Sequence, residues 1–361
     1  IVVVGMVATG MIGCDLGLAS CTCCQAGFGK SGARFIVSTI FAVNMIGWFG
    51  IQNGVCGEAF SNAMLAMTGW DIPVVVSNTI WGIIMLLTAV YGVHALEKLD
   101  KISIPLLMII MCYGTFLAFK VYGTGNLNDE GTVQSMSFMS GVALSFNFTA
   151  VGTITGPDYT RFQKSRKDTV KSVFYGVFPM GVITLIMGIV LTKLSGQYDI
   201  SMVLIEVGLP LLGIIALVIS TWTTNSTNAY SAGLNIVMAL KLKDNRRREA
   251  TLISGIVGIV LCDLGILGHI EGVLSLLSYV VCPVGGVILA DYWVVGKGKA
   301  KNFRPQDGVN WAGVIAWALG AIISYTLVKI EFVGIIIGFV IYLIAERFIP
   351  SASRDNAENI A

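Results

Sequence analysis

The chain has 361 residues, 55% of them hydrophobic and only 12% charged, with a mean hydropathy of +0.80 and a formal net charge of +2. A soluble domain carries about twice that charged fraction, so the composition excludes an ordinary soluble protein. The net charge by itself identifies no partner; the placement of the charges is the informative part.

Charge-poor windows of about 20 apolar residues, each long enough to cross a bilayer, recur along the chain. They predict an all-α polytopic membrane protein, and the short alternating segments of an outer-membrane barrel are absent. In chain order the predicted spans are 1–14, 34–56, 71–93, 102–121, 134–156, 170–193, 201–240, 250–269, 271–294, 309–328 and 330–348. The stretch 201–240 is too long for one span and has to break or continue past the membrane. Together the spans predict a single transmembrane domain over 1–361, with 349–361 as a C-terminal tail.

After the first span comes "CTCC" (21–24), which invites a metal or redox reading. It has no second pair at zinc-finger spacing, and the only histidines, His94 and His269, are far away in sequence, so these cysteines read as small packing residues. The second span carries "NMIGWFGIQNG" (44–54), with Trp48 and Gln52 at i, i+4 and hence on one helix face. An indole beside an amide suits a planar ring that hydrogen-bonds at its edge. The fifth span ends in "NFTAVGTITGPDYTRF" (147–162), which loses its apolar character midway. Interrupted helices are tolerated at membrane depth only where they are buried or line a cavity, and transporters build binding sites there.

The following loop, "DYTRFQKSRKDTVK" (158–171), is strongly basic. Topology and anionic lipid account for that, and no nucleic-acid partner is needed. In "ISTWTTNSTNAYSAGLN" (219–235), eight of the nine residues from Ser220 to Asn228 are polar. One or two such groups serve as interhelical hydrogen bonds; eight exceed that need and point to a site. Amides suit an uncharged polar heterocycle, and the adjacent hydroxyls of Thr223 and Thr224 suit Na⁺. Near the end, "CPVGGVILADYW" (282–293) carries Pro283, Gly285 and Gly286, which can bend a helix. Of the acids in or near spans (Glu58, Glu206 and Asp263), Asp263 is the candidate proton site. No catalytic constellation is present, which argues for a carrier rather than an enzyme.

Of the 23 lysines and arginines, all but Lys120, Lys193 and Lys329 fall on one side of the predicted membrane. The excess marks that side as cytoplasmic and places the C-terminus there. The expected location is the plasma or inner membrane, with lipid as surroundings and no obligate protein partner evident.

"GWFG" (47–50), "GTITGPDYTRF" (152–162), "WTTNSTNAYSAGL" (222–234) and "PVGGVILADY" (283–292), in this order, resemble recurring segments of the nucleobase:cation symporter family, the cytosine and purine permeases with their hydantoin and allantoin relatives. The resemblance implies a leucine-transporter-type fold of twelve helices: a 5+5 inverted repeat plus two peripheral helices. The predicted spans become helices 2–12, so helix 1 and the start of helix 2 are expected to be lacking here. It further implies that Trp48 stacks on one face of the substrate and Phe148 on the other, with Phe146 as rival. Gln52, Asn225 and Asn228 contribute amides, and Thr223 and Thr224 bind Na⁺ with ligands from helix 1. Met45 stands where cytosine permeases carry glutamine. The expected function is import of a nucleobase or related heterocycle, coupled to Na⁺, with no cofactor. The alternatives are proton coupling, or a hydantoin-, allantoin- or amino-acid-type substrate on the same fold.

Overall fold

The computed structural model describes residues 1–91, 93–128, 137–197 and 199–349; the tail predicted over 349–361 lies, from 350 onward, outside the described residues. Among the described residues every regular element is helical. In chain order they are α1 (Val2–Leu16), α2 (Ser20–Cys23), α3 (Gln25–Gly32), α4 (Ser38–Thr68), α5 (Val74–Tyr91), α6 (Val93–Tyr122), α7 (Phe138–Asn147), α8 (Gly152–Thr160) and α9 (Arg166–Ser195). There follow α10 (Ile200–Glu206), α11 (Pro210–Ala239), α12 (Arg247–Asp263), α13 (Ile270–Leu289), α14 (Trp311–Ile323) and α15 (Val333–Phe348). Each predicted span is occupied by one of these helices or by a broken pair. Seven helical stretches are long and apolar enough to cross a membrane.

The overlong 201–240 stretch breaks at residues 207–209. A short α10 is capped by Asp199, whose carboxylate accepts from Ser201 N, and Pro210 then opens α11. Proline suits a first helical turn because its missing N–H has no partner there anyway. The predicted interruption in the fifth span is also present, between Asn147 and Gly152. The backbone across it closes by i→i+3 bonds such as Gly152 N to Thr149 O and Ile154 N to Val151 O.

Pro157, by contrast, sits inside α8 without breaking it. Its ring removes the N–H that would bond to Thr153 O. The hydroxyl of Thr9 on α1 donates to that carbonyl instead, at 2.8 Å. In return Thr160 Oγ1 donates to Gly10 O at 2.7 Å. Such exchanges require the two helices to lie almost in backbone contact, and "GMVATGMIG" supplies the small residues. A methyl group on Gly13 would lie 2.4 Å from Pro157 Cα.

Three packed groups of helices bear on the site, besides the cluster that α6 and α10 form with α9 and α11. In one, α1 lies along α8 and α9. In the second, α4, α5, α11 and α12 pack together through Phe49, Cys56, Met85, Leu86 and Ile259. In the third, α13, α14 and α15 pack around Pro283, against which Gly320, Gly334 and Gly338 close. The cysteines of "CTCC" are buried in a core with Phe28, Val37, Ile154 and Tyr342. Burial pushes the thiols up, Cys21 to about 11 and Cys23 to about 12, so they are neutral packing groups as expected. The outer flank of α9 presents Leu185, Ile186 and Ile189, each more than half exposed, as a lipid-facing surface.

Thr9→Val keeps the shape of the side chain but leaves the Thr153 carbonyl buried without a donor, which costs about 1–3 kcal/mol. Gly13→Ala pushes a methyl group into backbone, at a comparable cost. Thermal unfolding in detergent is expected to show a lowered midpoint for both variants, with Ser172→Ala, at an exposed position of α9, as the unaffected control.

Candidate functional site

The three aromatic and amide groups taken from α4 and the broken helix come together. Trp48, half-buried on α4, meets Phe148, the first residue after α7, with ring centroids 6.1 Å apart and planes inclined at 51°. Two parallel rings that sandwich a third need about 7 Å, twice the carbon contact distance. The pair is therefore closed on itself, and a planar guest would have to part the rings. Gln52, one turn along α4, and Phe148 both line a cavity of about 1000 Å³. Its other polar lining includes Glu58, Asn62, Asp199, Ser220 and Thr221, and Met108, Met111, Met180 and Met187 form apolar walls. Phe146, the rival aromatic, is 3% exposed and packs edge-on against Phe332 at 5.6 Å, whereas Phe148 is 48% exposed.

The polar run of α11 divides by helix face. Thr221, Asn225, Ser226 and Ala229 are buried. The amide nitrogen of Asn225 donates to Phe49 O at 3.0 Å and to Met85 Sδ at 3.5 Å. Ser226 Oγ donates to Met85 O at 3.0 Å, and Trp222 Nε1 to Thr88 Oγ1 at 2.9 Å. Three residues of the run, Trp222, Asn225 and Ser226, thus fasten α11 to α4 and α5. Asn228 is half-buried, and its amide donates to Asn225 Oδ1 at 3.4 Å. Asn225 is therefore spent on protein groups, while Asn228 keeps its own oxygen.

Thr223 and Thr224 lie on the less buried side. Both hydroxyls donate to the same carbonyl, Ser220 O, at 3.1 and 3.0 Å. Three oxygens are gathered within one turn, and each hydroxyl retains lone pairs for a cation. None of Trp48, Thr223, Thr224, Asn225 and Asn228 lines the large cavity.

Asp263, the acid taken from the sequence as the candidate proton site, is the last residue of α12; it is exposed, and its carboxylate accepts from Asn78 Nδ2 at 3.3 Å. The sequence reading missed a buried polar cluster at the helix break, where Glu331 binds Asn147 and Ser275. Its signal was available: Glu331 is an acid within the predicted span 330–348, and Asn147 stands at the head of the segment that loses its apolar character.

Residues 1–346 match the family described as permeases for cytosine/purines, uracil, thiamine and allantoin. The cytosine permease of Escherichia coli (strain K12) is 31% identical over 335 residues, which cover 91% of this chain and 76% of that protein. The allantoin permease of Bacillus subtilis is 25% identical over 398 residues, covering 95% and 80%. Among solved structures, Mhp1, described as a nucleobase-cation-symport-1 family transporter, superposes with a TM-score of 0.77 in a closed form with bromovinylhydantoin bound. That match covers 96% of this chain and 83% of that one at 18% identity. The inward-facing form of Mhp1 gives 0.79, at 96% and 81% coverage and 19% identity. A Na⁺-coupled sialic acid symporter gives 0.53, at 94% and 88% coverage and 14% identity. The fold is the leucine-transporter type, and the chain belongs to this family of permeases. It is a multi-pass membrane transporter and not an enzyme.

Asn225→Ala removes two donors and an acceptor from a fully buried position. It is expected to lower stability by about 1–3 kcal/mol, whereas Thr224→Ala, on an exposed position, stays within about 0.5 kcal/mol. Thermal unfolding of both variants without added ligand makes the comparison.

Proposed function

We propose that this member of the permease family imports a nucleobase or a related planar heterocycle by alternating access, driven by a Na⁺ gradient. The carrying observation is the Trp48–Phe148 ring pair. It joins α4 to the break in the fifth span, beside the amide of Gln52. Parted by about an ångström and turned parallel from their 51° inclination, the rings would hold a flat guest by stacking, worth about 1–3 kcal/mol per ring. Gln52 and Asn228 would read its edge, and Asn225 would act by orienting Asn228. A site built to hydrogen-bond a guest rejects analogues that leave its buried amides unpaired.

For the ion, Thr223 and Thr224 offer hard oxygen ligands beside the Ser220 carbonyl. The basic loops face the cytoplasm, with the C-terminus on that side, in the cell membrane. A hydantoin- or allantoin-type guest is the second reading. It is favoured by the allantoin permease among the relatives and by the Gln52 amide at the cavity wall.

The test is uptake into proteoliposomes of labelled cytosine, uracil, hypoxanthine, hydantoin and allantoin, with inward Na⁺ or choline. One of these is expected to accumulate, and uptake of it should fall at least about tenfold in choline, the equivalent of 1.4 kcal/mol or more. Trp48→Ala should weaken its binding by about 5- to 150-fold while the protein is still made and folded. Uptake unchanged by Trp48→Ala would remove the ring pair from the site, and equal uptake in choline would remove Na⁺.

A further inference from the structure

Glu331 lies in the turn that leads into α15 and is only 6% exposed. Its Oε1 accepts from Asn147 Nδ2 at 3.0 Å and from the hydroxyl of Ser275 on α13. Its Oε2 is buried with no partner, and so is Asn147 Oδ1. Two residues already joined by one hydrogen bond thus each carry a buried acceptor that nothing donates to.

The surroundings offer no countercharge. No lysine, arginine or histidine lies within ion-pair distance of Glu331 among the described residues. The titratable groups that face it are Tyr279 and Cys282 of α13, with Tyr325 edge-on to Tyr279 at 5.3 Å. Lys329, two residues earlier in the same turn, is exposed. From α7 comes only Asn147, with the Phe146–Phe332 ring pair beside it. An unpaired charge buried in such a place is costly and is ordinarily removed by neutralisation.

A metal ion would need several oxygens, and only two are free here. A single proton satisfies both. It turns Oε2 into an O–H donor, and the acceptor waiting on the same hydrogen-bonded pair is Asn147 Oδ1. Carboxylic acid and amide then bond reciprocally, N–H to Oε1 and O–H to Oδ1.

We propose that Glu331 is a proton-binding site of the transport cycle, occupied in the conformation described here, and that its proton fastens the broken helix to α13 and to the turn before α15. Loss of the proton to water leaves a carboxylate and an amide oxygen facing each other. The two then repel, and the end of α7 is released. Phe148 is the residue that follows Asn147, so release moves one ring of the proposed substrate clamp. The proton acts in addition to Na⁺ and takes the role that the sequence assigned to Asp263. This use of the proton rests on the transport reading above; the protonated pair does not.

The first measurement is infrared difference spectroscopy of the full-length protein near neutral pH, wild type minus Glu331→Gln. Glutamine reproduces the neutral pair, its amide donating to Asn147 Oδ1. The expected result is a carbonyl stretch of a protonated carboxyl group that shifts in D₂O and, in Asn147→Ala, moves to higher frequency as the O–H loses its acceptor. Absence of the band, or its removal by added Na⁺, overturns the proposal in favour of a water-bridged carboxylate or a bound cation. The second is uptake of whichever of the five heterocycles accumulates, at equal Na⁺ on both sides with the outside more acid by about one pH unit, which for one coupled proton raises accumulation up to about tenfold. Wild type is expected to respond, and Glu331→Gln to exchange the same heterocycle without responding. A wild-type response in Glu331→Gln overturns the coupling role. A band at Glu331 in a protein that moves none of the heterocycles leaves the proton site standing and refutes the transport reading instead.

Discussion

A helix interrupted inside a membrane leaves backbone groups that hydrocarbon cannot satisfy, and the fifth span is interrupted between Asn147 and Gly152. Much of the arrangement around it follows from that debt. The break itself closes on tight backbone turns. The carbonyl freed by Pro157 is taken up by Thr9, which requires α1 and α8 to approach so closely that Gly13 has no room for a methyl group. The amide that ends α7, Asn147, is held by Glu331 and through it by Ser275. The ring that begins the break, Phe148, is left free to meet Trp48.

The polar run of α11 shows why composition alone cannot separate glue from site. Hydrogen bonds between membrane helices and ligands for a guest use the same residue types. In α11 they are divided by face: Asn225, Ser226 and Trp222 bind α4 and α5, while Thr223, Thr224 and Asn228 keep unspent lone pairs. The division is also a hierarchy. Asn225 is saturated by Phe49 and Met85 and so becomes a fixed support for Asn228, since an amide whose hydrogen bonds are all made cannot turn.

The spans were legible because a membrane imposes length and apolarity on each of them; that 40 residues cannot cross once announced a break or an overrun in 201–240, and only the structure places the break at 207–209. Gly-Pro in a polar segment announced the interruption near 150 but not its place, because Pro157 could be accommodated by a threonine donor from a helix distant in sequence. Trp48 with Gln52 was readable as one helix face, whereas Phe146 and Phe148, two residues apart, differ only in the fold, where Phe146 is buried and Phe148 meets Trp48. Asp263 was readable only as an acid near the end of a span, which is where α12 places it. Glu331 escaped notice because it stands at the edge of a span, where acids are ordinary, and only the fold turns it inward onto Asn147.

Polar ties join the group containing the broken helix to the α13–α15 group at more than one place, among them the Trp293 indole, which donates to Ala8 O at 3.2 Å. On the side of the basic loops, Asp15 of α1 accepts from Arg166 Nε at 3.0 Å and from the Tyr292 hydroxyl, and Arg166 also donates to Gly298 O at 2.6 Å. On the other side, Asn147 binds Glu331. The group of α4, α5, α11 and α12 takes no part in these ties and meets the broken helix through Trp48 and Phe148. A carrier has to open one end at a time, and two latches of different chemistry make that separable. An arginine–carboxylate fork keeps its charge at any physiological pH, so it answers to motion alone. A carboxylic acid–amide pair can be undone by removing one proton. On the proposed alternating-access reading, the asymmetry supplies a physical reason for the two ends to open under different conditions.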